Sequence, residues 1–224
     1  MKKLLLLLFV VSINTLIFGQ KLAIPLSSAQ SEFKLKSSTF DNFTAGLNLK
    51  ELIFENTSTE NGNFAYLEIE GGTTPANVGQ ASLPVVSKLI EIPQEAEIQI
   101  IVNSYETEVV NLSDYGINQI IPTQPSYSKS TPEEEMHFVI DENYYQTDIL
   151  EENELVISEI LGTMRGVRIG RIEIRPYHYN PVENTLVIYN NLDFSVNFLG
   201  SDIGLTDALK TKFYAREFEG SYNS

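Results

Sequence analysis

The sequence predicts a mainly β protein, an antiparallel β-sandwich with a short C-terminal helix. Three observations carry that expectation. Leu192, Phe194, Val196 and Phe198 alternate with Asp193, Ser195 and Asn197, the pattern of a strand with one buried and one wet face. Most other apolar runs are short, rich in Val, Ile, Tyr and Phe, and bounded by Gly, Pro or Asn. Only near the end does the period become helical, where Leu205, Leu209 and Phe213 recur every four residues.

Residues 1–20 stand apart as a signal peptide. Lys2 and Lys3 form a basic start, residues 4–11 an apolar run, and residues 12–20 relax toward a cleavage point after Gly19 or Gln20. Ser12, Asn14 and Thr15 interrupt the run before it reaches spanning length, so export to the outside or the cell surface is expected, without stable membrane insertion.

Residues 21–32 are Ser- and Gln-rich and read as a loose arm, residues 33–55 as short strands, residues 56–63 as a turn and residues 64–69 as a strand. Gly79 opens a loop that leads through Pro84 into an apolar strand over 85–92. Pro93 ends that strand, and residues 97–102 can pair back onto it as a hairpin. Residues 105–110 read as a further strand, closed by turn residues 111–116. Pro122, Pro125 and Pro132 forbid a regular element over 121–135, a long exposed loop with one cation, Lys129, and an acidic triplet, Glu133-Glu134-Glu135. Residues 136–140 and 154–161 read as strands, with 141–148 a loop or helical turn between them. Gly162 separates these from a run over 163–176, whose buried parity slips and would be restored by a β-bulge at Gly170. Asn180 and Pro181 set a turn before a strand over 185–189, and Asn190-Asn191 mark a break ahead of the alternating strand. Residues 206–218 read as an amphipathic helix capped by Thr206.

Composition narrows the chemistry. The 224 residues include 30 acids and 15 bases, a net charge of −15, which argues against nucleic-acid binding. Lys2 and Lys3 are the only charges in residues 1–20, so the remainder carries 13 bases and 30 acids, −17. No Cys is present, which excludes disulfides and a cysteine nucleophile within the chain. His137 and His178 are the only histidines, and neither has visible partners for a metal site or a triad. The acidic triplet lacks the alternating ligands and glycine of a calcium loop. No cofactor or metal is expected. Arg165, Arg168, Arg171 and Arg175 concentrate positive charge and read as a face paired with surrounding acids, or as a dock for an acidic partner. Lys129 reads as a solvated loop lysine, or as a cation able to enter a pocket floored by a carboxylate, as a basic side chain enters a trypsin-like specificity pocket.

Several stretches agree in order and spacing with one family. They are Gly79 with Leu83-Pro84-Val85-Val86 and Ile92-Pro93; residues 122–129; Tyr145 and Asp148; Met164-Arg165-Gly166 with Arg168; and Ile174-Arg175-Pro176 through Tyr179-Asn180-Pro181 to Val187, Tyr189 and Asn190. Across residues 79–198 the chain resembles the N-terminal propeptide of gingipain-type secreted cysteine proteases. The resemblance implies a β-sandwich over 21–202 that assists folding of a catalytic domain and keeps it latent, followed by a helical linker over 203–224 toward a catalytic domain that this chain lacks. It implies the catalytic domain of a Lys- or Arg-specific gingipain-type cysteine protease as partner, Lys129 as the basic residue of an inhibitory loop entering its specificity pocket, and Lys210, Lys212 or Arg216 as maturation cleavage points. It implies no protease activity in the chain itself. Two other readings stand beside it. One is a secreted adhesion or binding module using Tyr105, Tyr115, Tyr127, Tyr144 and Tyr145. The other is an enzyme in its own right, for which no nucleophile–base set is readable.

Overall fold

Eleven strands form three antiparallel sheets around one core in the computed structural model, which describes residues 21–74, 77–150 and 153–213. The strands are β1 (Lys21–Pro25), β2 (Glu32–Ser38), β3 (Asn42–Asn48), β4 (Glu51–Thr59), β5 (Gly62–Glu68), β6 (Val86–Ile92), β7 (Glu97–Asn111), β8 (Val156–Met164), β9 (Val167–Ile174), β10 (Tyr177–Asn180) and β11 (Thr185–Leu199). Two helices, α1 (Glu142–Gln146) and α2 (Ile203–Lys212), complete the order, with 3-10 turns at Leu112–Tyr115 and Glu133–Glu135. The expected mainly antiparallel β class with a short C-terminal helix is what the chain adopts.

The alternating strand is the centre of the molecule. Every second residue of β11 from Leu186 to Phe198 is buried, which fixes its register, since a one-residue slip would turn the whole set to solvent. β10 and β3 pair along one edge of β11 and β7 along the other, with β2 outside β3. β1-β4-β5 and β6-β9-β8 are the other two sheets. Ile24, Leu52 and Phe54, Leu47, Phe194 and Val196, and Ile92, Ile172 and Ile174 bring all three sheets into the same core.

Several expectations are corrected. Residues 21–32 are no loose arm: β1 pairs with β4, and Ser27 donates from its N–H and hydroxyl to the Glu108 carboxylate. The 56–63 turn shrinks to the tip between β4 and β5, because β4 continues to Thr59 with alternating exposure. β6 does not form a hairpin with the strand after Pro93. β6 pairs with β9 and β7 with β11, so the corner over 93–96 carries the chain from one sheet to another. Residues 136–140 form no strand. Gly162 lies inside β8, and the bulge falls there, between Ile160 and Gly162, opposite Gly170 rather than at it. Gly170 is needed for space: a Cβ there would come within 2.4 Å of Ile92 Cδ1. The 163–176 run is two strands, because Arg165 (φ 50) and Gly166 (φ 80) make a tight turn between β8 and β9. Asn190-Asn191 form a bulge within β11 rather than a break: Asn191 has φ 48, and the register with β7 shifts there and shifts back at Phe194.

The helix also differs. Asp202, not Thr206, caps α2, accepting from the Leu205 N–H at 2.8 Å. Thr206 is the buried residue, while Ile203, Leu205 and Phe213 face solvent. The apolar spacing therefore does not mark the docked face.

Candidate inhibitory loop

The Lys129 loop is built upward from Gly79. The Gly79 N–H donates to Thr123 O at 2.8 Å, and its carbonyl accepts from the Asp141 N–H at 3.0 Å. One glycine thus pins both feet of the loop. The close approach requires it: Gly79 has φ 87, and a Cβ would sit 3.1 Å from Asp141 N. Thr123 N–H to Gln80 O and Ser82 N–H to Ile121 O, each 2.8 Å, fasten the first limb to the stretch before β6.

Above the feet, side chains replace a backbone ladder. Gln124 Nε2 donates to Val139 O and its Oε1 accepts from Val139 N–H, both at 2.9 Å, so one amide side chain acts as a strand's peptide group would. The Tyr127 hydroxyl donates to His137 O at 3.0 Å and accepts from His137 N–H at 3.2 Å. Residues 136–140 form no strand because Pro122 and Pro125 in the opposite limb have no N–H to give a ladder, and the partners of Val139 and His137 are side chains instead. Phe138 packs on Phe64 of β5 with centroids 5.7 Å apart, tying the return limb to the sheet.

At the tip, the Thr131 N–H donates to Ser128 O at 2.9 Å and the Ser128 and Ser130 hydroxyls lie 2.9 Å apart. Lys129 is therefore at the first corner of a β-turn, exposed, and among the described residues no carboxylate pairs with it. The arrangement can deliver one flexible, solvated ammonium from a braced support.

The remaining sequence candidates fall elsewhere. Lys210 and Lys212 lie in the last turn of α2, and Lys210 Nζ meets the Glu91 carboxylate at 2.9 and 3.0 Å. Arg216 and residues 1–20, the stretch read as a signal peptide, lie outside the described residues. His178 is buried, with Nε2 donating to Asn153 O at 2.8 Å and Nδ1 2.9 Å from the Tyr189 hydroxyl. His137 is exposed and contributes its backbone to the loop. No cluster of three metal-ligating side chains occurs among the described residues.

The arginines divide. Arg171 pairs with Glu159 at 2.6 Å and Arg175 with Glu173 at 2.7 Å, the paired-face reading. Arg168 instead donates to Ala96 O at 2.7 Å and Pro93 O at 3.2 Å, holding the 93–96 corner. Arg165 sits in the β8–β9 turn. Tyr145 leaves the tyrosine group proposed for adhesion: it is buried, donates to Ile120 O at 2.7 Å, and burial pushes its phenol far above the usual value. Burial likewise raises Tyr179 to about 12 while its hydroxyl donates to Asn184 Oδ1 at 2.9 Å. Both phenols fasten the stretch that leads into the loop: Tyr145 directly at Ile120, and Tyr179 through Asn184, whose amide donates to Ile117 O at 2.7 Å.

Sequence reasoning placed Lys129 and the loop but missed Gln124, Tyr127 and the foot function of Gly79. The available signal was an aromatic residue amid small polar ones, which needs a buried or bonded purpose.

Comparison with known proteins places this architecture. The Propeptide_C25 family matches residues 31–209. Lys-gingipain of Porphyromonas gingivalis (strain ATCC 33277) is 33% identical over 222 residues, as is Lys-gingipain HG66 of the same species, and each alignment covers 99% of this chain. The chain spans 13% of the length of these relatives. A structure bearing on zymogenic latency of gingipain K from P. gingivalis matches at a TM-score of 0.76 with 34% identity, covering 81% of this chain and 100% of that one. A complex of P. gingivalis RgpB pro- and mature domains matches at a TM-score of 0.65 with 20% identity, covering 81% of this chain and 95% of that one, a likeness of fold.

Proposed function

This chain belongs to the Propeptide_C25 family, and on that premise we propose that it assists the folding of, and inhibits, a lysine-specific gingipain-type cysteine protease, presenting Lys129 to the specificity pocket. The observation that carries this is the tip itself: an exposed lysine, unpaired among the described residues, at a β-turn corner, on a loop whose two feet share one glycine and whose limbs are cross-bonded. A braced loop loses little conformational freedom on binding, so more of the ammonium–carboxylate attraction survives as affinity. The likeness to Lys-gingipains supports lysine over arginine as the residue read. Export through residues 1–20 would bring chain and protease to the same compartment. Residues 203–224 carry the candidate maturation cuts, after Lys210, Lys212 or Arg216.

The test is inhibition of the mature protease by the purified chain. Submicromolar inhibition is expected, weakened about tenfold or more by Lys129→Ala, because a carboxylate left unpaired in a pocket is costly. Absence of inhibition at micromolar chain would remove the inhibitor reading. Equal inhibition by the variant would remove Lys129 from it.

A further inference from the structure

Of the two candidate cleavage points inside the described residues, Lys210 is held in place by a set of contacts that serves no evident need of the core. α2 follows β11 and lies against the 93–96 corner and the β8–β9 turn. The Gln94 N–H donates to Thr206 Oγ1 at 2.9 Å, and the Asp202 N–H donates to Gln94 O at 2.9 Å. Gln94 Nε2 donates in turn to Gly166 O at 3.2 Å, so one residue clasps both the helix and the turn. Lys210 Nζ reaches back to both oxygens of Glu91 on β6. Gly166 meets the helix backbone so closely that a Cβ there would lie 2.5 Å from Leu209 O and 2.8 Å from Leu209 C.

These contacts differ from ordinary helix docking. Ile203, Leu205 and Phe213 are 55%, 37% and 46% exposed, so little apolar burial holds the element. A groove of about 590 Å³, lined by Phe33, Phe43, Ile90 and Phe198, runs between β2, β6 and the helix residues Thr206 and Lys210. A helix of ten residues is marginal alone in water. Its persistence therefore depends on a few polar contacts and one backbone approach, which makes it an element of low local stability.

Proteases bind substrate as an extended chain, so a bond inside a docked helix is cut only when the helix opens. We propose that α2 is a latch: docked through Glu91–Lys210, Gln94–Thr206 and the Gly166–Leu209 approach, it withholds the Lys210–Thr211 bond from lysine-directed cleavage until it undocks. The proposal rests on the maturation reading above for its biological meaning. Cleavage after Lys210 becomes conditional on whatever loosens the 93–96 corner or the β8–β9 turn, and otherwise falls downstream of the helix.

Trypsin acting briefly on the intact chain tests this, with fragments quantified by mass spectrometry and the exposed Lys129–Ser130 bond as the internal reference. In the parent chain, cleavage after Lys210 should run at least tenfold slower than after Lys129. Glu91→Ala, which removes the ion pair without introducing a clash, and Gly166→Ala, which drives a methyl group into Leu209, should each raise the ratio of cleavage after Lys210 to cleavage after Lys129 severalfold. Thr206→Val is the third variant, so that a misfolded Gly166→Ala does not decide the matter. Equal cutting at the two sites in the parent chain, or a ratio unmoved by Glu91→Ala and Thr206→Val, would overturn the latch. Neither result depends on inhibition, so failure to inhibit a lysine-specific protease would strike the proposed function and leave the latch standing.

Discussion

Tyr127 and Gln124 give the Lys129 loop what a ladder of backbone bonds gives a hairpin, and neither needs to touch a protease to matter. Tyr127→Phe keeps the ring and removes both bonds to His137. It is expected to cost on the order of 1 kcal/mol in binding, a rise of about fivefold in the inhibition constant, with the thermal midpoint nearly unchanged because the loop is exposed. A kinetic assay paired with a melting curve would check it; a fall in midpoint as large as that in a core variant would mean that Tyr127 is a folding residue instead. Lys129 itself was legible in the sequence as the one cation of a proline-rich loop. Its support was not, because an amide bonding to a backbone fifteen residues away leaves no local periodicity. Gly79 was visible as punctuation, while its two bonds to Thr123 and Asp141 follow only from the folded path.

At the level of strands, local pattern was read well and partnership poorly. The second half of β11, Leu192 to Phe198, was legible as an alternating strand, while Asn190-Asn191 hid its continuity with residues 185–189. The β6–β7 connection was not legible: Pro93 and a short turn suit a hairpin, yet Arg168 bonds to Pro93 O and Ala96 O and turns the corner between sheets. The bulge was foreseen one strand away from its place. Gly170 stays in regular register with β6 because Ile92 fills the space a side chain would take, so the extra residue is accommodated across the ladder in β8. Gly170→Ala is therefore expected to destabilise by about 1–3 kcal/mol through overpacking, seen as a lowered urea midpoint. Combined with Ile92→Val, which removes the clashing Cδ1, it should recover part of that loss. A double variant simply additive with the two singles would show that the contact is not the cause. The helix α2 was legible from its four-residue spacing, but its cap and buried face were not, because the anchoring side chains, Thr206 and Lys210, are polar.

The whole molecule is strongly acidic, and two of its carboxylates are tuned to be charged in the folded state. Burial works against the Glu108 charge, but the Asn190 amide and the Ser27 N–H and hydroxyl outweigh it and hold its pKa below the ordinary 4.5. Burial opposes the Asp193 charge as well, and Asn103 and Lys36 lower its pKa more than burial raises it. A depressed folded pKa contributes stability that is present above the unfolded value, near pH 4, and disappears as pH falls through the folded one. Urea unfolding should therefore show Glu108→Gln below the parent chain at pH 7, with the gap narrowing as pH falls toward 3; an equal gap at both would rule out the charge as the source. Family membership and architecture agree at this scale, since residues 31–209 match the propeptide family and hold all but one of the strands described. The inhibition constant of the parent chain and of Lys129→Ala against one mature lysine-specific gingipain-type protease tests the central claim most directly. The account predicts submicromolar inhibition that weakens about tenfold or more on losing the ammonium; two indistinguishable constants, or no inhibition by either chain, would contradict it.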